Sequence, residues 1–256
     1  MSWGYKMEKK LKNIYRFLKS NRKYNYSAQA GFYNECITPY HAASKKATSL
    51  LFHILNTQSR SRIDKVFVFY KFLEYNKRNL SSFWKFARAL GIERDTKTPF
   101  KDVFSALKSH KPKWGWGAKT AALFTKSLYH THRGKYKQFA FWKDVPELKK
   151  GDLLYLPVDT VINHLFKKIT DKKRISFSTI NENLHEEYAG KKMEVWDDLW
   201  FWGFITQQTK KEKRTTTAFN EAKYWAQPHF DKRSTTINEI KRKASQFKNL
   251  ITAKKK

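Results

Sequence analysis

The stretch KWGWGAKTAALF, residues 113–124, places two glycines, separated by one residue, directly before a lysine and an apolar helical pattern. Glycine has no Cβ and accepts positive φ, so a turn of this kind lets the backbone approach another object closely. The helix that follows, expected from about Lys119 to Tyr129, would direct its first N–H groups and the positive end of its dipole at that object. The pattern therefore predicts an anion-binding turn, although the spacing alone is equally typical of a helix end followed by a new helix.

The composition indicates which anion to expect. The 256 residues include 53 Lys and Arg against 22 Asp and Glu, which gives a formal net charge of +31. This excess is larger than solubility requires, so we expect a polyanionic partner. Aromatic residues make up 16% of the chain, with 9 Trp. Because bases stack on aromatic rings, nucleic acid is favoured over an anionic membrane surface.

Cysteine and histidine usage argues against several kinds of site. Cys36 is the single cysteine, so neither an internal disulfide nor a cysteine-ligated zinc or iron–sulfur site is expected. His130 and His132 are the close histidine pair, and without nearby carboxylates they do not predict a metal site. No apolar run approaches the roughly 18 residues of a membrane span, and the N-terminus lacks the apolar core of a signal peptide. We expect an intracellular protein.

The hydrophobic residues recur mainly with a helical period, which predicts an all-α chain with few strands. Pro99 marks the start of one helix, and Ser82 and Gly91 mark the start and the end of another. Thr236 with Glu239 predicts a capping box at the start of the last helix. The helices expected are one around 11–18, two within 48–75, and one each at 81–90, 99–108, 119–129, 160–169, 196–204 and 234–252.

Four motifs resemble those of the helix-hairpin-helix DNA glycosylase superfamily. GWGAKTA (115–121) is similar to its hairpin, and LPVDT (156–160) to the stretch that carries its catalytic aspartate. LLFHILNTQSRSRI (50–63) resembles its glutamine-bearing helix and loop, and WDDLWFWGF (196–204) a late element of archaeal-type 8-oxoguanine glycosylases. The nearest resemblance is to that branch and to lysine-containing, endonuclease III-like enzymes without an iron–sulfur cluster. Trp114 replaces the proline that usually precedes the first hairpin glycine.

The resemblance implies a two-lobed helical fold with a cleft between the lobes. One lobe would comprise 48–129 and end in the hairpin near 114–119. The other would combine 1–47 with 153–256 and carry the catalytic aspartate. Residues 130–152 are polar and basic and contain Gly134, Pro146 and Gly151, so they predict an extended, inserted surface loop. This insertion accounts for the long spacing between Lys119 and Asp159.

Lys119 and Asp159 are the catalytic residues that the resemblance implies. Positive charge grows on the sugar as a glycosidic bond breaks, and the Asp159 carboxylate would stabilise it. The Lys119 amine would attack C1′ and form a Schiff base, which permits strand cleavage. The alternative roles are structural: Asp159 would cap the following helix, and Lys119 would be a charge that positions phosphate.

Further contacts follow from the same resemblance. Gln58 would fill the gap left by the flipped base, or be a plain loop glutamine. The residues expected at the DNA are Gly115, Trp116, Gly117, Ala118, Thr120, Gln58 and Arg60. The residues expected at the base pocket are Asp197, Asp198, Trp200, Trp202 and His164. Their alternative roles are helix capping for the aspartates, core packing for the tryptophans and surface packing for the histidine.

The function expected is that of a DNA glycosylase with AP-lyase activity, which flips out a damaged or modified base. An oxidised purine is the first substrate class and a bulky modified pyrimidine, as in phage DNA, is the second, so the role is repair or defence. We expect double-stranded DNA as partner, a monomer without an obligatory protein partner, and no cofactor beyond a monovalent cation at the hairpin. The expected location is the nucleoid of a prokaryotic cytoplasm. The alternative is a non-catalytic DNA-binding module that keeps only the hairpin; no RNA-recognition signature supports RNA binding.

Overall fold

A computed structural model of the chain describes residues 4–57, 63–109, 115–210 and 213–252. This part of the chain is mostly helical, as the hydrophobic period predicts. The α-helices, in chain order, are α1 (Tyr5–Ser20), α2 (Lys23–Ile37), α3 (Ala43–Asn56), α4 (Ile63–Tyr75), α5 (Phe83–Ala89), α6 (Pro99–Ser109), α7 (Ala118–His132), α8 (Thr160–Thr170), α9 (Phe177–Tyr188), α10 (Met193–Trp196), α11 (Asp198–Ile205), α12 (Glu221–Trp225) and α13 (Ser234–Thr252). Short 3-10 helices occupy Lys77–Ser81, Lys137–Phe139 and Gly190–Lys192.

Among the described residues, one small antiparallel hairpin interrupts the helices. Its strands are β1 (Gln207–Lys210) and β2 (Lys213–Thr216), with Gln207 opposite Thr216 and Lys210 opposite Lys213. Four polar or basic residues per strand leave no alternating apolar pattern, so the sequence did not predict this hairpin.

The chain divides into two compact units. The terminal unit consists of Met1–Gly31, Val158–Glu187 and Val195–Lys256, and the central unit of Phe32–Pro157 and Tyr188–Glu194. The central unit therefore includes 32–47 and 130–157, which we expected to lie outside the lobe that carries the glycine turn.

The core of the terminal unit is built from the apolar faces of its helices. On α1, Leu11, Ile14 and Leu18 are buried. The apolar stripe of α13 is also buried, and it consists of Ile237, Ile240, Ala244, Phe247 and Ile251. The predicted capping box at Thr236 and Glu239 is wrong, because α13 begins two residues earlier, at Ser234. The Thr236 hydroxyl instead donates to Asp231, and Glu239 accepts from the Tyr24 hydroxyl at 2.7 Å.

The central unit has an aromatic core beneath helices whose ends follow the sequence signals. Ser82 caps α5 by accepting from the backbone N–H of Lys85, and Gly91 has φ +80° just after the helix ends. α6 begins at Pro99, as expected, and packs against α7. The side chains of Phe83, Phe86, Phe100 and Phe124 are fully buried between these helices.

Residues 130–152 do not form the inserted surface loop that their basic composition suggested. Tyr136, Trp142 and Val145 are buried, and the indole N–H of Trp142 donates to the Leu80 carbonyl at 2.8 Å. Two aspartates, one within the segment and one at its end, cap helices that are distant in the sequence. Asp144 accepts from the backbone N–H groups of Phe83 and Trp84, and Asp152 accepts from those of Phe100 and Lys101. These carboxylates satisfy N–H groups that the first turns of α5 and α6 leave without intrahelical partners.

Candidate functional site

Asp159 stands between an extended segment and the first turn of α8. Its backbone is extended, and its Oδ1 accepts from the backbone N–H of Ile162 at 2.8 Å, so it is the N-cap of the helix. Its Oδ2 accepts from the indole N–H of Trp200 at 3.0 Å. The predicted capping role is therefore confirmed. The second bond fixes the carboxylate in one orientation, which a cap alone does not require.

A close approach of α8 and α11 makes the bond between Trp200 and Asp159 achievable. Gly203 lies against α8, and a Cβ at that position would be 2.5 Å from Leu165 Cδ1 and 2.8 Å from Val161 Cγ1. Only glycine fits here without displacing a neighbour. Because Trp200 precedes Gly203 by one helical turn, the contact brings the indole to the start of α8.

An aromatic and basic layer continues from Trp200. The Trp200 and Phe204 rings are stacked, with centroids 4.9 Å apart and planes 16° apart. The Lys223 amine lies 4.9 Å from the Phe204 centroid. Burial lowers the pKa of Lys223, the nearby Arg214 charge lowers it further, and Asp159 acts in the opposite direction. We did not predict Phe204 or Lys223, although Phe204 follows Trp200 by four residues and so shares its helix face.

His164 lies on α8, and Arg214 contacts the first residue of that helix. His164 Nε2 lies 3.2 Å from the Thr216 hydroxyl. Burial, and then the charges of Lys168, Arg214 and Lys167, lower the pKa of His164 to about 4, so the imidazole is neutral at pH 7. Arg214, on β2, donates to the Gln207 side chain and to the Thr160 hydroxyl, each at 3.1 Å. Sequence reasoning missed Arg214 because it missed the hairpin that carries it.

Two further pocket candidates have structural surroundings. Asp198 is buried and accepts from Arg22 Nε at 3.1 Å and from the Asn25 amide at 2.8 Å, which ties α11 to the chain around the start of α2. Trp202 is completely buried, with its ring edge-on to Phe17 at 5.0 Å. We therefore correct the assignment of both residues to a base pocket. The Asp198 carboxylate is paired with Arg22 and the Trp202 ring lies in the core, so neither side chain is exposed to a base. Asp197 is the N-cap residue of α11 and makes no capping side-chain bond.

The glycine turn belongs to the central unit and is described from Gly115 onward. Gly115 has φ +78°, and Gly117 is the N-cap of α7 with an extended backbone and open space around its Cα. Lys119 lies in the first turn of α7, and its amine donates to the Thr57 carbonyl at 3.1 Å and to the Thr57 hydroxyl at 3.3 Å. The turn therefore brings Lys119 to the end of α3. Ala118 is partly exposed beside it.

Several residues predicted at the DNA have other surroundings or are outside the described structure. Trp116 is buried, with its ring 5.0 Å from Phe69 and 6.0 Å from Phe124. Thr120 is also buried, so its side chain faces the core of the central unit. We correct the expectation that these two side chains meet DNA. Gln58 and Arg60 lie outside the described residues.

Lys119 thus lies in the central unit and Asp159 in the terminal unit. Among the residues that the structure describes, no three His, Cys, Asp or Glu are grouped so as to hold a metal ion. No helix in this part of the chain combines the length and the apolar character needed to cross a membrane. Comparison with protein-family models, with curated proteins and with solved structures finds no match.

Proposed function

We propose that the chain is a DNA glycosylase with AP-lyase activity, which extrudes a damaged or modified base and breaks its N-glycosidic bond. The observation that carries the proposal is the Asp159 carboxylate. A helix N–H and an indole N–H hold its two oxygens at 2.8 and 3.0 Å, next to stacked aromatic rings. A negative charge fixed in this way needs no reorganisation when positive charge develops beside it.

The chemistry assigned to Asp159 is electrostatic. As the bond between C1′ and the base breaks, its electron pair leaves with the base and the sugar becomes cationic. The carboxylate stabilises that cation until a nucleophile reaches C1′. With water as nucleophile, the products are a free base and an abasic site.

The Lys119 amine is the nucleophile in the bifunctional form of the proposal. After losing a proton, it bonds to C1′, and opening of the sugar ring gives a Schiff base to the protein. Loss of a C2′ proton then expels the 3′ phosphate and cuts the strand. In the structure this amine donates to Thr57, so the mechanism requires that it exchange that contact for the sugar. The two units would be the lobes of a helix-hairpin-helix fold, with α6 and α7 as the motif helices.

The basic charge of the chain supports DNA as the substrate. A formal charge of +31 is suited to a phosphate backbone. We propose double-stranded DNA as partner, with the open N-terminus of α7 at a phosphate. The substrate classes are an oxidised purine, for a role in repair, and a bulky modified pyrimidine, for a role against foreign DNA in a prokaryotic cytoplasm. Either role is compatible with a monomer.

A panel of duplexes, each with one modified base, tests the proposal directly. The wild-type protein is incubated with each duplex and with genomic DNA from modified phages, and released bases are identified by mass spectrometry. Release of one base class, lost in Asp159→Asn, supports the proposal. Absence of release across the whole panel overturns it.

A non-catalytic DNA-binding module is the second candidate, and a specific observation favours it. Both Asp159 oxygens and the Lys119 amine make hydrogen bonds that also stabilise the fold. If these bonds are their whole role, Asp159→Asn lowers the free energy of unfolding, and the wild-type protein binds all the modified duplexes but processes none of them.

A further inference from the structure

The terminal unit carries a row of aromatic rings and lysines that begins at the Asp159 site. From Trp200, the row passes to Phe204 and then to Phe230, whose centroid is 6.5 Å from that of Phe204. Phe230 in turn lies 5.1 Å from the Tyr224 ring. Neither α12 nor the segment after it took part in the function proposed above.

Lys232 fixes the far end of this row. Its amine donates to the carbonyl oxygens of Tyr224, Trp225 and Gln227 at 2.7, 3.2 and 2.8 Å. It also lies 5.0 Å from the Tyr224 centroid and 5.2 Å from the Trp225 centroid. A single ammonium group therefore ties together the turn that follows α12. These three bonds restrain the backbone that carries Trp225.

Trp225 differs from its neighbours in exposure. Tyr224 and Phe230 are 1% and 5% exposed, whereas Trp225 is 50% exposed. An indole that projects from a tied turn loses little conformational entropy when a flat ligand stacks on it. The exposed Trp225 ring is therefore available to stack with a ligand.

The charges around Trp225 select the kind of ligand. Two acids close to Trp225 in the sequence are paired, Glu221 with Lys241 at 3.4 Å and Asp231 with Arg233 at 2.6 Å. Lys223 adds positive charge on the side toward Phe204. An anionic ligand that also offers flat rings fits this surface, and nucleic acid is such a ligand. In a duplex the faces of the bases are covered by their neighbours, whereas an unpaired base offers its face.

We propose that Trp225 is a stacking platform for an unpaired nucleobase, and that the basic surface around this exposed indole binds a single-stranded stretch of nucleic acid. The binding itself requires no glycosylase activity. Its use for the strand beside an extruded nucleotide rests on the function proposed above, because the row starts at the Trp200 ring that holds Asp159.

Binding of a labelled oligodeoxythymidine, followed by fluorescence anisotropy, tests this inference. One base–aromatic stack is worth on the order of tenfold in affinity, so Trp225→Ala should weaken binding by about that factor. Trp225→Leu, which keeps an apolar side chain without a ring, should show the same loss, and Trp225→Phe should retain most of the affinity. The matched control is Tyr75→Ala on α4, where the ring is 81% exposed; it should bind as the wild type does.

The outcomes separate this inference from its alternatives. Equal affinity of wild type, Trp225→Ala and Trp225→Leu overturns it, as does an equal loss in Tyr75→Ala. If the Trp225 variants lose binding to anionic phospholipid vesicles but bind the oligonucleotide as the wild type does, Trp225 contacts a membrane and the inference is overturned. If Trp225→Ala loses single-strand affinity while the wild type releases no base, the platform stands and the glycosylase proposal fails. If the wild type releases a base and the Trp225 variants bind single strands normally, the glycosylase proposal stands and the platform is overturned.

Discussion

The indole N–H of Trp200 donates to the Asp159 carboxylate at 3.0 Å, across 41 positions of the chain. This bond joins the N-cap of α8 to an aromatic layer on α11, and it distinguishes Asp159 from an ordinary helix cap. A cap needs one acceptor oxygen, which Ile162 already occupies. The second oxygen is instead oriented by a side chain, and this gives the carboxylate a defined direction.

Asp159→Asn separates the two roles of this side chain. Asparagine keeps one oxygen that can cap the Ile162 N–H, but its NH2 group then faces the Trp200 indole N–H, which is also a donor. We therefore expect the free energy of unfolding in urea to fall by about 1–3 kcal/mol, the usual cost of a buried donor left without an acceptor. Base release should fall by on the order of a hundredfold or more, because the amide carries no charge to match the cationic sugar. Trp200→Phe is the control, since it removes the indole donor and keeps the carboxylate. Unchanged activity per folded Asp159→Asn molecule would show that Asp159 is a cap alone.

Gly203→Ala tests whether the close approach of α8 and α11 sets the site. The added Cβ would meet Leu165 Cδ1 at 2.5 Å, and overpacking of this kind typically costs about 1–3 kcal/mol. We expect a loss of stability in urea unfolding. Leu165→Ala removes the atom in the way, so the double variant should be less destabilised than the sum of the two single changes. Strict additivity would mean that the two side chains do not compete for the same space.

The sequence predicted the elements whose signals are local. α5 shows this well, because Ser82 caps it and Gly91 ends it, and both are readable from residue type. Asp159 was singled out by the resemblance of LPVDT to a glycosylase motif, and its capping role could be predicted because it directly precedes an amphipathic helix. Such features depend on neighbours within one or two turns.

The rest depended on contacts distant in sequence. Trp142 and Val145 are sparse apolar residues in a basic segment, and only the folded central unit shows that they are buried. Asp198 has the character of a pocket residue in the sequence, because its partner Arg22 lies 176 positions away in the chain. Lys223 could not be connected with the site, because it reaches the Phe204 ring from an adjacent helix.

His132 should make stability depend on pH. Its Nε2 accepts from the backbone N–H groups of Phe141 and Trp142, so its proton is on Nδ1, which donates to the Leu128 carbonyl. Burial lowers its pKa from 6.5 to about 4, the Arg133 charge adds to this effect, and the Leu128 bond and Asp144 oppose it. Protonation would direct a new N–H at two donors.

The sign of the effect follows from the lowered pKa. Above pH 6.5 both folded and unfolded states are neutral at this histidine, so its contribution to stability is fully present. Between pH 6.5 and 4 the unfolded state takes up a proton that the folded state does not, and on the order of 3 kcal/mol is lost. Urea unfolding from pH 7 to 4 should show a weaker pH dependence in His132→Gln than in the wild type. Parallel curves for the two proteins would contradict this prediction.

DNA binding should weaken steeply with salt. Each phosphate contact releases counterions, and log K falls by about 0.9 per contact for each unit of log salt concentration. A chain that makes about six contacts should lose on the order of a thousandfold in affinity between 50 and 200 mM salt. Anisotropy with a labelled duplex at several salt concentrations measures the slope. A flat profile would exclude binding dominated by phosphate.

Lys119 gives the test that decides between the bifunctional and the monofunctional reaction. If its amine attacks C1′, borohydride added during the reaction should reduce the Schiff base and trap a covalent protein–DNA adduct. Lys119→Gln should abolish the adduct and the strand cleavage, while Asp159 supports slow base release with water as nucleophile. The side chain of the glutamine can still donate to Thr57, so the fold at the end of α3 is maintained. Base release by the wild type without an adduct would make Lys119 a positioning charge, and an adduct that persists in Lys119→Gln would assign the nucleophile to another amine.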